Sequence, residues 1–192
     1  MKSKIATMMM LVTMAFAVCF VSSAVAPVRV EASTASSLQK KTKAIVKKVT
    51  KTGDSKNVKM KKLFVLLEKK QYGYKRTIGF KATKGWDKKF ALDLLNKKKG
   101  SCYGYAAAYG YLVKQATGYS VRVAVGYTNG FSGNLQPHAW TEVKIKGKWY
   151  VFDSNMDKFA EKGSLKYYYV DRSSIKKTYN NYKKVKYTTV KF

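Results

Sequence analysis

Gly100-Ser101-Cys102-Tyr103-Gly104-Tyr105-Ala106-Ala107-Ala108-Tyr109-Gly110-Tyr111-Leu112 reads as the start of a helix that carries a cysteine in its first turn. Ser101 has the side chain of an N-cap, with a hydroxyl able to accept a first-turn N–H. Gly100 allows a sharp turn just before it. Unpaired N–H groups and the helix dipole put partial positive charge where Cys102 sits. A thiol in that position is favoured as the thiolate, which is the nucleophilic form. The small residues that follow allow close packing on a sheet, and Gly118 is the expected C-cap.

Downstream, Val121, Val123 and Val125 alternate with Arg122 and Ala124, the pattern of a half-buried strand. Residues 126–136 form a loop, with turn signals at Asn129-Gly130 and Gly133-Asn134. A second strand spans 137–145, Lys146-Gly147 is a two-residue turn, and 148–153 is the return strand. That turn sets Trp140 opposite Asp153 and His138 opposite Asn155. His138, Trp140 and Asp153 then share one face, and His138 and Asp153 are diagonal neighbours about 7–8 Å apart at the backbone. The other face carries Ala139, Val143, Ile145, Tyr150 and Phe152 and reads as the core face. Further strands are expected in Tyr167–Val170 and in Tyr187–Phe192.

Upstream, Val58, Met60, Leu63, Phe64 and Leu67 mark a helix face. Residues 75–85 read as loop, and a second helix follows with Asp87 as its cap and Phe90, Ala91, Leu94 and Leu95 on its apolar face. Helices before the cysteine and strands after it are therefore the elements the patterning gives. Residues 33–57 are basic and polar, with Leu38, Ile45, Val46 and Val49 at helical spacing; a short helix and a linker both fit.

Residues 1–32 have the form of a signal peptide. Lys2 and Lys4 precede an apolar run from Ile5 to Val21, and Val30-Glu31-Ala32 is a small-x-small cleavage site before Ser33. Ala24-Val25-Ala26 is a poorer site because Pro27 follows it. The organisation expected is therefore 1–32 signal peptide, 33–57 basic linker or short helix, and 58–192 the working domain. Removing 1–32 takes away Lys2, Lys4, Arg29 and Glu31 and lowers the net charge from +29 to about +27. It also removes Cys19, so Cys102 is then the only cysteine. A secreted chain with one cysteine makes no internal disulfide, and an odd cysteine there points to a reactive thiol or an intermolecular bridge.

His138 is the single histidine. If Cys102 has a base, it is His138, and Asp153 is the carboxylate able to hold that imidazole in one tautomer. The bland alternatives are a satisfied structural histidine and an aspartate that caps a turn. Convergence of all three on one point favours the catalytic arrangement. A structural zinc site would need two carboxylates beside one histidine and one cysteine, an improbable set, and no cofactor or metal is expected.

Residues 100–106, 118–126, His138-Ala139-Trp140 and Trp149–Asp153 together resemble the transglutaminase-like superfamily, its secreted bacterial members above all. The resemblance covers roughly residues 58–156 in four ordered motifs. It implies an α+β, papain-like, transglutaminase-core fold, a nucleophile-bearing helix packed on an antiparallel sheet, with Cys102 as nucleophile, His138 as general acid/base and Asp153 as orienting carboxylate. Arg122 and Gly126 match positions that are structural. The implied chemistry is acyl transfer on protein or peptide amides through a thioester, ending in hydrolysis, deamidation or crosslinking. The backbone N–H of Cys102 is one oxyanion donor, and Trp86 or Tyr74 could supply another, with core packing as the stronger reading of each. The high positive charge reads either as a lysine-rich solvated surface or as attraction to an anionic cell-wall polymer or membrane surface, and secretion disfavours nucleic acid as partner. The alternative function is a catalytically silent wall-binding or structural module on the same fold.

Overall fold

The computed structural model describes residues 25–129, 133–175, 179 and 182–192, with side chains from residue 31 onward. The apolar run of the expected signal peptide and Gly130 of the first turn signal lie outside the described residues.

Helix α1 (Val25–Val49) runs through the segment read as linker or short helix, and across the expected cleavage point. Its Leu38 and Thr42 are fully buried, so the core reaches N-terminal to residue 58. Helix α2 (Lys56–Glu68) is capped by Ser55, whose hydroxyl accepts from the Val58 N–H at 3.3 Å. Met60, Leu63, Phe64 and Leu67 line its buried side, as their spacing requires. A two-residue strand β1 (Gly73–Tyr74) pairs in parallel with β2 (Lys99–Gly100) and ties the loop before α3 (Trp86–Lys97) to the residues before Cys102.

Two caps differ from the expectation. Helix α3 starts from Gly85 in the left-handed conformation, and Asp87 sits inside the first turn, where it accepts the Tyr111 hydroxyl at 2.6 Å. A buried tyrosine from another helix claims the carboxylate that local sequence offered as a cap. Ser101 occupies the N-cap position of α4 (Cys102–Thr117), but its side chain makes no capping bond; its Oγ pairs with Thr77 Oγ1 at 2.8 Å. Gly100 sits in tight quarters, since a Cβ there would lie 3.0 Å from Leu94 Cδ1 and that side chain would have to shift.

Helix α4 is the centre of the molecule, with every residue from Cys102 to Val113 buried. Three of its tyrosines are tolerated there because each hydroxyl finds an acceptor: Tyr105 on the Gly73 carbonyl, Tyr109 on that of Met60, and Tyr111 on Asp87 and the Lys191 carbonyl. The helix packs on an antiparallel sheet in the order β6-β5-β4-β3-β7. Its strands are β3 (Ser120–Thr128), β4 (Gln136–Ile145), β5 (Lys148–Phe152), β6 (Val170–Asp171) and β7 (Tyr182–Thr189). Thr141 bolts β4 to α4 by donating to the Ala106 carbonyl at 2.7 Å.

The Lys146-Gly147 turn has two residues, and Thr141 faces Phe152 while Ile145 faces Lys148, the register read from the sequence. Ala139, Val143, Ile145 and Phe152 face the main core. The opposite face is also covered. Ala124, Trp140, Val151, Met156, Tyr167, Ile175 and Tyr179 form a second cluster there. Gly126, opposite His138, sits at a bulge where β7 crowds β3; a Cβ there would lie 2.7 Å from the Lys183 carbonyl oxygen. The Tyr167–Tyr169 run is turn, leaving only Val170–Asp171 in strand, because Tyr167 is drawn into the second cluster. The last strand is β7, which ends at Thr189, short of the predicted Phe192. Helix α5 (Ser154–Ala160), not foreseen, follows β5 directly.

Candidate active site

Three elements deliver Cys102, His138 and Asp153 to one point: the first residue of α4, the start of β4 and the junction of β5 with α5. All three are buried. His138 Nε2–H donates to Asp153 Oδ2 at 2.5 Å, which fixes the tautomer and leaves Nδ1 for the other side of the ring. The Cys102 thiol is hydrogen-bonded to the same imidazole. Burial alone would lower the His138 pKa, but the Asp153 carboxylate and the Cys102 sulfur outweigh it and raise it to about 10.

Asp153 also caps α5, so the same carboxylate serves a turn and contacts His138. Its Oδ1 accepts the Met156 N–H at 3.0 Å, and its own N–H donates to the Tyr167 carbonyl at 2.9 Å. Oδ2 takes a second donor, the Tyr179 hydroxyl, at 2.6 Å. Burial, together with the Asp153 charge, pushes the Tyr179 hydroxyl well above its ordinary pKa, so it stays a donor. Tyr179 packs against His138 and Trp140, with ring centroids at 6.1 and 5.4 Å. Nothing local in the sequence marks it among fifteen tyrosines.

Trp140 forms the wall beside the imidazole, 6.3 Å between centroids, and its indole N–H donates to Glu142 Oε1 at 2.9 Å. Glu142 is fully buried and is neutralised by two arginines, Arg122 at 2.6 Å and Arg172 at 2.9 Å. Arg122 in turn lies between the rings of Trp149 and Tyr187. This is the structural role expected of Arg122: it pairs with a buried carboxylate that would otherwise be left uncompensated.

A cavity of about 40 Å³ opens on the sulfur and imidazole, with Tyr74, Gln136 and Asn155 among its lining. Of the two candidate oxyanion donors, Trp86 is displaced: its indole donates to Thr188 Oγ1 at 3.2 Å, within an aromatic cluster with Phe80 and Phe90. Tyr74 does reach the cavity; burial and then the nearby Cys102 raise its hydroxyl pKa. Pro137 joins this cavity to a groove of about 580 Å³ lined by Phe80, Tyr103 and Tyr127 together with Arg76, Lys184 and Lys186.

The sequence model of the transglutaminase-like superfamily matches residues 36–154, a span that holds all three residues. Comparison with curated proteins finds no match. Among solved structures the chain is similar to a candidate cysteine protease from Cytophaga hutchinsonii, at 17% identity and a TM-score of 0.47. That match covers 80% of this chain and 52% of that protein, so the chain spans about half of its length.

Proposed function

The chain belongs to the transglutaminase-like superfamily, and from that premise we propose that it is a secreted cysteine enzyme of acyl transfer acting on protein or peptide amides. The observation that carries this reading is the linked set Cys102–His138–Asp153, with the imidazole between sulfur and carboxylate. In the proposed reaction His138 takes the thiol proton and the Cys102 thiolate attacks the amide carbon. The C=O pair moves to oxygen as the S–C bond forms. It returns as the C–N bond breaks, and His138 gives its proton to the departing nitrogen. A thioester and a free amine result. Water or a lysine amine then attacks the thioester, His138 takes the incoming proton, and the thiol is regenerated as the product carboxylate or isopeptide leaves.

The groove beside Pro137 is the proposed substrate channel, and its three cations favour acidic segments. The net charge, +29 for the whole chain and about +27 without residues 1–32, supports a second proposal, retention on an anionic cell-wall polymer or membrane surface after export. Retention of that kind weakens as salt rises, and binding that survives high salt would count against it.

The test incubates the protein with a glutamine-containing protein, with and without a labelled primary amine, followed by mass spectrometry. Incorporated amine, lost in Cys102→Ala, identifies transamidation. A one-unit mass gain per glutamine means deamidation, and shortened fragments mean peptidase action. Absence of every product across a panel of proteins and wall peptides would favour a catalytically silent module.

A further inference from the structure

Asn155 is 1% exposed and lines the cavity that holds the Cys102 sulfur and the His138 ring. Among the described residues, neither its Oδ1 nor its Nδ2 has a hydrogen-bond partner. A buried amide left unpaired costs about 1–3 kcal/mol, and folded proteins keep few such groups. The surroundings do not force it: Asp153, two residues earlier, satisfies both of its oxygens in the same turn. Asn155 therefore lines the reaction cavity from the start of α5 with its amide unpaired among the described residues.

The N-terminus of α4 lines the same cavity through Cys102. The first N–H groups of a helix have no partner within it, and Ser101, which stands ready to cap them, turns its hydroxyl to Thr77. The residues lining the cavity thus carry two donors, the first-turn N–H of Cys102 and the unpaired amide of Asn155. Both are neutral, so neither adds a charge beside the Cys102–His138 pair.

We propose that the Asn155 side-chain amide is the second oxyanion donor, acting with the Cys102 backbone N–H on the acyl oxygen. Asn155 is then a catalytic residue in its own right. As the S–C bond forms, the carbonyl pair moves to the oxygen, and Nδ2–H meets the charge there; as the pair returns, the leaving group departs. This inference rests on the acyl-transfer reading above.

The experiment separates a step that develops an oxyanion from one that does not. Acylation is followed as the burst of nitrophenolate from p-nitrophenyl acetate at neutral pH, with Cys102→Ala as the blank. Alkylation of Cys102 by iodoacetamide, a displacement at a saturated carbon, reports the thiolate and its base alone. Asn155→Ala and the similar-sized Asn155→Leu are expected to slow acylation about 100-fold or more. Both should alkylate at the wild-type rate and melt no lower than wild type, since they remove an unpaired buried group. Unchanged acylation in a folded variant would overturn the assignment. So would acylation and alkylation that fall in proportion, which would make Asn155 a support for the Cys102–His138 pair. A wild-type protein with no burst above the Cys102→Ala blank would overturn the acyl-transfer reading itself, and the assignment with it.

Discussion

Replacing Tyr179 by phenylalanine isolates one hydrogen bond. The ring is 1% exposed and packs against Trp140 and Tyr167 at centroid distances of 5.4 and 5.6 Å, contacts that phenylalanine keeps. Apolar burial is therefore unchanged, and what is lost is a 2.6 Å bond to a buried carboxylate. Hydrogen bonds to charged groups contribute about 1.5–3 kcal/mol, so the variant should be about 2 kcal/mol less stable. A chain of this size loses about 2–4 °C per kcal/mol, which places the expected fall in Tm at about 4–8 °C. Circular dichroism melting at pH 7 reads it directly. Tyr127→Phe, at a 40% exposed site, is the control and should melt with wild type. A Tyr179→Phe protein that melts with wild type would refute the reasoning, because it would mean that Asp153 does not depend on the hydroxyl.

Asp153→Asn keeps an oxygen able to cap α5 but removes the charge that orients His138, and acyl transfer should fall by roughly 10⁴-fold with little loss of helix content; activity near wild type would contradict the role given to Asp153. The His138 pKa is raised from 6.5 to about 10 in the folded state, so its contribution to stability is complete below pH 6.5 and lost as pH rises toward 10. Urea midpoints for wild type should fall over that interval, and the slope should flatten in His138→Gln; parallel profiles would count against it. Gly126→Ala places a methyl 2.7 Å from the Lys183 carbonyl oxygen, and a cost of about 1–3 kcal/mol is expected in urea unfolding.

Much of the site was legible because it rests on short-range rules. The Lys146-Gly147 turn sets the hairpin register, and the register brings His138 and Asp153 together. The helix start at Cys102 and its end at Gly118 follow from local chemistry in the same way. What was illegible depends on residues that meet only after folding. Ser101 and Asp87 both have the side chains of caps, and both are claimed by partners distant in sequence, Thr77 and Tyr111. Tyr179 reaches Asp153 from 26 residues away. Glu142 reads as the polar side of a half-exposed strand, yet it is buried, because Arg122 and Arg172 converge on it and the second cluster covers that face. Asn155 was placed opposite His138 by the register, but that its amide finds no partner among the described residues is a property of the folded cavity.

The central claim is that His138 activates the Cys102 sulfur, and the rate of iodoacetamide alkylation in wild type and His138→Ala tests it most directly. His138→Ala removes a ring that lines the sulfur's cavity and so widens access, which means that a slower variant reports the loss of the base. The account predicts a wild-type rate at neutral pH well above that of His138→Ala. Equal rates in two folded proteins would contradict it.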